Sequence, residues 1–324
     1  SFEDVSDSSS LNESSDSSIS DNPENSYNVY YYDENNNLIE KVVAFYDDHF
    51  KLKDSYNVES KEVVCWYNDE FSFSPNSTIT YSYTHDLILY AKLDYALNDS
   101  NYEYTFIDET SVAIDKYNGN NAEIVIYPYA KIDNLYYQIA SIGPSAFEGN
   151  SIINSVVIAN TIPTIHGYAF ANCENLKEII LPEKLSFLGD HVFEGCESLE
   201  EITIPEGVTD IWAFCFSSCS YLEKIYLPST LLSINEGAFL FCPMYEVYYN
   251  GTIDDWCNIE KANSYIFNEN TSFFTKENGE YKEVKNEVII NNASIIKDYS
   301  FYNLSTITSL NINSSIASIG KYAF

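Results

Sequence analysis

Apolar residues in the second half of this chain return every 23 positions. Phe147, Phe170, Phe193, Phe216 and Phe239 keep that spacing, as do Ile142, Ile165, Leu188, Ile211 and Ile234 five positions ahead of them. Behind each Phe comes an apolar set: Ile153, Leu176, Leu199 and Leu222, then Val156, Ile179, Ile202 and Ile225, then Ile158, Leu181, Ile204 and Leu227. Pro182, Pro205 and Pro228 close the unit, and Phe301 and Phe324 resume the count after an interruption. A fixed period of this length marks a repeat architecture. The unit reads L-x-x-I-x-L-P. Its Ile and Leu stand two apart and point to one side of a short strand, while the residue between them points to the other. The Pro ends the strand, having no N–H for the next rung. One coil's handful of apolar side chains cannot offset the backbone entropy of ordering 23 residues. Stacked coils share hydrogen bonds and a core, so the pattern predicts a mainly β solenoid of 23-residue coils.

Residues flanking the inward Ile and Leu are expected on the outer face of the strands. They run Ser155 and Val157, Glu178 and Ile180, Glu201 and Thr203, Lys224 and Tyr226, Val247 and Tyr249. This stripe varies while the core does not, so Glu178, Ile180, Glu201, Thr203, Lys224, Tyr226, Val247 and Tyr249 are the candidate ligand-binding residues. Tyr226 and Tyr249 are expected to stack at the ~4.8 Å rung spacing. Paired tyrosines offer large contact area at low entropy cost and suit protein or glycan contacts. Cross-strand pairs of this kind also simply stabilise a sheet.

The cysteines follow the same register. Cys173, Cys196, Cys219 and Cys242 each stand three residues after a Phe of the ladder. No C-x-x-C pair offers a zinc site. Asn150 and Leu304 take the same place in other coils, and Cys215 replaces Ala146, Ala169 and Ala238. The thiols therefore read as small core residues.

The segments IGPSAFEGN, AFANCENLKEIILP, VFEGCESLEEITIP and FSSCSYLEKIYLP resemble the BspA-type (Treponema-type) leucine-rich repeats, whose unit is IGxxAFxxCxxLxxIxLP. The resemblance implies a right-handed leucine-rich-repeat solenoid over 139–249, continuing over 286–324. Residues 95–138 resemble the β-rich cap that opens such arrays, and 250–285, beginning YYNGTIDDWCNI, an insertion within them. The Gly of IGxxAF gives way to His166, Trp212 and Asn235, which questions any strict need for positive φ there.

The first part of the chain differs. Residues 1–26 hold eleven Ser and seven Asp/Glu with no Lys or Arg, the composition of a disordered, solvated tether. Residues 27–94 read as a small β domain. YNVYYYDENNNLIEKVVAFY is a hairpin signal, and EVVCWY and DLILYAKL supply further strands. Asp33, Asn35 and Asn37 have a faint calcium-loop spacing but lack its Gly and distal Glu, so they read as a turn. NVYYYDENNNLIEKVVAFYDD, Trp66-Tyr67 and the closing Leu87 to Lys92 resemble the Listeria–Bacteroides (internalin B-type) repeat, which implies a β-grasp-like module. Cys65 stands where that family has Gly, and Leu93 where it has the closing Trp.

Charge narrows the partners. With 49 acidic against 16 basic residues the net charge is −33, which excludes phosphate-backbone recognition and repels anionic lipid. Neutral or cationic partners suit it. No apolar run reaches the ~18 residues a spanning helix needs. The front lacks an initiating Met and a leader pattern, and Phe324 falls within a unit; both suggest a fragment whose signal and anchor lie elsewhere and whose open end self-associates.

No catalytic motif stands out among His49, His85, His166 and His191 or elsewhere, and no metal or cofactor is called for. Asp254-Asp255-Trp256 is the most site-like cluster, and reads as an anchor rather than a glycosidase pair. The resemblance to the repeat family implies extracellular display, with host or bacterial proteins, matrix or glycans as partners. A passive stalk for another domain is the alternative.

Overall fold

In a computed structural model the residues described are 26–33, 38–45, 49–53, 62–67, 72–73, 78–80, 87–94, 96–97, 100–133, 135–263, 265–312 and 316–324. The expected tether, apart from Ser26, and Asn35 and Asn37 of the turn fall outside them.

The first body is a five-stranded sheet. Ser26–Tyr32 and Leu38–Phe45 form the expected hairpin; Ser26–Tyr32 also runs parallel to Leu87–Asp94. The latter takes Glu62–Tyr67 antiparallel, with Ser72–Phe73 beyond it. Alternate residues Val29 and Tyr31 enter a core with Ala44, Leu52, Trp66, Leu87 and Leu89. Tyr31 meets Trp66 edge-on at 4.7 Å, and the Trp66 Nε1 donates to the Lys53 carbonyl at 3.0 Å. Burial pushes the Tyr31 phenol up to about 12. A buried Trp thus finds a partner for its one polar atom.

The repeat forms a solenoid with two parallel sheets flanking one apolar core. The first sheet stacks Glu123–Ile126, Ser155–Ile158 and Glu178–Ile180 in one ladder and Glu201–Thr203, Lys224–Leu227, Glu246–Tyr249 and Ser272–Glu277 in a second; among the described residues no strand pairing joins Glu178–Ile180 to Glu201–Thr203. The second stacks Leu135–Ile142, Thr164–Ile165 and Phe187–Leu188 in one ladder and Asp210–Ile211, Ser233–Ile234 and Glu260–Lys261 in another, with the step between Phe187–Leu188 and Asp210–Ile211 unpaired among the described residues. Glu123–Ile126 lies inside the segment expected as a cap, so the first sheet starts earlier than residue 139. Its E-I-V-I matches the inward alternation, with Ile124 and Ile126 buried.

Between the sheets each coil turns on two left-handed residues. One stands two residues before the ladder Phe (Ser145, Tyr168, His191, Phe214, Gly237) and the other precedes the Cys position (Gly149, Asn172, Gly195, Ser218, Phe241). Neither is the Gly of the I-G pair. There glycine serves close approach: a Cβ on Gly189 would stand 2.6 Å from the Gly167 nitrogen. These turns aim each Phe N–H at the next coil: Phe147 donates to Ala169 O at 2.8 Å, Phe170 to Val192 O at 3.0 Å, and Phe193 to Cys215 O at 2.8 Å.

The five phenyl rings stack at centroid spacings of 4.8, 5.7, 5.3 and 5.5 Å, all but excluded from solvent. The thiols are more than small hydrophobes. Cys173, Cys196, Cys219 and Cys242 each donate Sγ–H to the carbonyl of the Phe one coil back, at 3.1, 3.2, 3.1 and 2.9 Å. Burial raises the Cys173 thiol to about 12, and Cys196 and Cys219 well above their ordinary range. These six cysteines, Cys215 and Cys257 included, are free.

Residues 250–285 are an enlarged coil of the solenoid rather than a break in it. Their strands Glu260–Lys261 and Ser272–Glu277 continue both sheets. Between the last regular rung and Glu260 sits the helix Ile253–Asn258, opened by a capping box of Thr252 and Asp255. The acidic-aromatic cluster is consumed here. Asp254 Oδ1 accepts from the backbone N–H of Asn291, Asn292 and Ala293 at 3.0, 3.0 and 3.1 Å. Trp256 is buried and donates Nε1–H to Ser300 O at 2.7 Å.

Lys261 takes the inward place of Ile234 one rung on. Its ammonium, shut from water, donates to the Trp256 and Ile259 carbonyls at 2.9 and 2.8 Å and lies 4.6 Å from the Trp256 ring centre. Among the described residues no carboxylate bonds it, and burial lowers its pKa to about 7.

Two outcomes follow. Phe193→Ala removes the middle of the ring stack and should cost about 3–5 kcal/mol in denaturant unfolding. Unfolded Lys261 keeps its proton up to the ordinary value near 10.5, so the unfolded state binds the extra proton from about pH 7 upward. Stability should rise through that window relative to Lys261→Met, by up to about 1.4 kcal/mol per pH unit, in melts at pH 7, 8 and 9. Parallel pH profiles would show that Lys261 does not titrate there.

Candidate functional site

The outward residues of the first sheet form two columns. The first runs Glu123, Ser155, Glu178 and then Glu201, Lys224, Glu246, Ser272. The second runs Val125, Val157, Ile180 and then Thr203, Tyr226, Tyr248, Phe274. Strand pleating alone places them, because each flanks an inward Ile or Val. The second column is apolar apart from Thr203 yet open to solvent, with Val125 45 % and Ile180 51 % exposed.

Six of the eight candidate residues take this face: Glu178, Ile180, Glu201, Thr203, Lys224 and Tyr226. Val247 and Tyr249 do not. Both are buried, at 0 % and 1 % exposure, as the inward pair of their strand. Their rung is one residue early: Lys224 pairs with Glu246 and Tyr226 with Tyr248, a spacing of 22. A one-residue slip inverts every side chain of a strand. Tyr226 therefore stacks on Tyr248, at 4.7 Å and 16°, and Tyr248 on Phe274, at 4.4 Å and 9°. The clue in the sequence was Val247, 22 residues after Ile225, which re-registers V-Y-Y onto I-Y-L.

The antiparallel strand Glu280–Glu283 closes this end of the sheet and brings Tyr281 against Tyr248 at 5.1 Å and 73°, with Lys276 Nζ 4.0 Å from the Tyr281 ring centre. Tyr281 lies far from Tyr226 in sequence, and no periodicity marks it. Lys224 sits between Glu246 and Glu201, at 3.3 and 3.8 Å, and the Glu246 hydrogen bond raises its pKa. Tyr248 donates its hydroxyl to Glu246 at 3.1 Å.

Beside the apolar column a groove of about 490 Å³ runs between two rungs. Ile180 and Thr203 floor it, and Glu178, Glu201, Glu183 and Glu206 stand around it. Glu206 accepts from Ser229 N and Oγ, both at 3.0 Å. Burial works to raise its pKa, but these bonds and one from Asn250 outweigh that and lower it, so it stays ionised. Among the described residues no group of carboxylates, His or Cys converges tightly enough to hold a metal ion.

A second aromatic patch lies on the other sheet. Phe187 and Trp212 are 38 % and 41 % exposed and tilted by 49° at 6.1 Å, with His166 6.0 Å from Phe187. Beside them Tyr168, His191 and Phe214 stack at 4.4 and 5.0 Å on consecutive left-handed turns.

Six copies of the BspA type leucine rich repeat region match residues 140–274 and 280–324, more than half of the chain. No curated protein matches. Among solved structures, a leucine rich cell surface protein of Faecalibacterium prausnitzii A2-165 is 22 % identical, over 71 % of this chain and 73 % of its own, with a TM-score of 0.41. The leucine rich repeat protein of T. pallidum is 20 % identical, over 70 % and 86 %, with a TM-score of 0.45. The pneumococcal vaccine antigen PcpA is 18 % identical, over 70 % and 67 %, with a TM-score of 0.44.

The register of the Tyr226 rung has a direct test. Tyr249→Ala should cost about 3–5 kcal/mol, as a buried ring does. Tyr248→Ala should cost no more than about 1.5 kcal/mol, the worth of surface ring stacking. Equal losses in thermal unfolding would contradict the inward and outward assignment.

Proposed function

Because the chain belongs to the BspA-type leucine-rich-repeat family, we propose that it is a bacterial surface or secreted protein that binds another macromolecule through the outward face of its first sheet. The observation that carries this is the apolar column. A strand face that needs only solubility would carry polar residues, yet this one exposes Val125 and Ile180 and leads to three stacked rings.

The ring geometry favours protein over glycan. Tyr226, Tyr248 and Phe274 cover one another face to face, so they offer edges and not the open ring faces on which a sugar stacks. Edges of this kind pack against aliphatic and aromatic side chains. A binding role also agrees with the fate of Asp254 and Asp255, both committed to capping backbone N–H groups.

The N-terminal sheet supports the reading of residues 27–94 as a Listeria–Bacteroides-type, β-grasp-like module. Its hairpin has a first strand that lies central and parallel to the last one, Leu87–Asp94. An acidic, Ser-rich stretch ahead of two repeat-type modules suits extracellular display.

The test is a binding screen of the chain against host matrix proteins, mucins and a glycan array, beside the Tyr226→Ala/Tyr248→Ala double variant. Binding to a protein is expected, with at least a tenfold loss in the double variant, about 1.4 kcal/mol. Undiminished binding by the variant would move the site off this face. Silence from both proteins would leave the solenoid a passive stalk.

A further inference from the structure

We propose that the partner of this face is a cationic polypeptide segment, bound extended along the solenoid, with its apolar side chains on the second column and its Lys or Arg side chains among the flanking glutamates. This rests on the reading of the strand face as a protein-binding surface and names the chemistry of the partner.

Shape and charge coincide in the groove between the Glu178–Ile180 and Glu201–Thr203 rungs. Glu178 and Glu201 stand on one side of its floor, and Glu183 and Glu206 line it as well, while no basic residue does. The cation on the neighbouring rung, Lys224, is already shared between Glu201 and Glu246. The four carboxylates do not converge on a point where an ion could be held. Spread around an exposed Ile, they match a long cationic side chain that lays its aliphatic stem on apolar surface and keeps its charged head at the rim. A guanidinium or ammonium placed there offsets acidic repulsion that the chain itself leaves standing.

The column sets the form of the ligand. Seven rungs at ~4.8 Å make an apolar line of about 29 Å, the length of roughly nine residues of extended chain. Within each of its two ladders the backbone groups of this face are used by parallel pairing, and a ligand running along the solenoid crosses the strands instead of lying beside one, so the partner is read by side chains and not by strand addition. Such a ligand alternates apolar and basic residues, one set on the column and the other on its acidic margin. The aromatic end with Tyr281 then accepts its bulkiest apolar group.

Fluorescence anisotropy with three labelled nine-residue probes tests this: alternating Leu-Lys, alternating Leu-Glu and alternating Ser-Lys. The Leu-Lys probe should bind the chain, the Ser-Lys probe at least tenfold more weakly, and the Leu-Glu probe not at all. Glu178→Gln/Glu201→Gln should weaken the Leu-Lys probe at least tenfold. Glu174→Gln/Glu197→Gln removes the same two charges from exposed positions outside the groove, and should change it less than twofold. All four positions are exposed, and circular dichroism of each variant confirms the fold. Equal losses from the two pairs, equal binding of the Ser-Lys and Leu-Lys probes, or binding of the polyanion heparin at this face would each overturn the proposal. A protein ligand from the screen that depends on Tyr226 and Tyr248, together with no binding of the Leu-Lys probe, would overturn the cationic chemistry and leave the face standing. Failure of both would remove the face itself.

Discussion

Everything in the solenoid depends on one constraint: each coil must satisfy the backbone polar groups of the next. The parallel strands do so within each ladder, and the turns do so across the step where the ladders break, as Phe170 N–H does with Val192 O. The N–H groups of Phe147, Phe170, Phe193 and Phe216 all reach carbonyls one coil further on. Those directions require two left-handed residues per coil, a conformation costing roughly 1–2 kcal/mol for residues other than glycine. The cost is borne even by Tyr168, His191 and Phe214, because an unpaired buried backbone group would cost as much or more. The cysteine ladder serves the same end, giving each Phe carbonyl a second donor from the coil beyond.

The same constraint explains how the repeat tolerates its irregular stretch. The rung at Glu246–Tyr249 comes one residue early and the following coil is much longer, yet both sheets continue through them. What the enlarged coil needs is filling and fastening. Trp256 fills it, Asp254 and Lys261 tie it to neighbouring backbone, and Thr252 with Asp255 closes the helix end. A buried lysine held by carbonyls is an expensive fastening. It follows from the register, which puts residue 261 inward whatever its side chain.

That coil also completes the surface of interest. Phe274 extends the ring stack begun by Tyr226 and Tyr248, and the hairpin that follows supplies Tyr281. Core packing holds the inward positions of the regular coils to apolar residues, while the outward ones vary from rung to rung. The acidic first column and the apolar second column are therefore free to be matched to a partner without disturbing the scaffold.

The solenoid is legible in the periodicity of the chain. A 23-residue period of Phe, Ile, Leu and Pro has no other way to bury its apolar side, and Glu178 to Tyr226 could be assigned outward by counting alone. Counting failed where the period did. A rung of 23 puts Val247 and Tyr249 outward, and the apolar pattern of residues 250–285 is not periodic, so the chain alone marks them as an interruption. The folded chain shows the strand register continuing through both, since register is set by hydrogen bonds to the neighbouring coil and not by spacing along the chain. It alone decided that Asp254 is a cap, that the thiols are donors, and that Tyr281 joins Tyr248. Each of these joins residues whose meeting depends on the path of the coils between them.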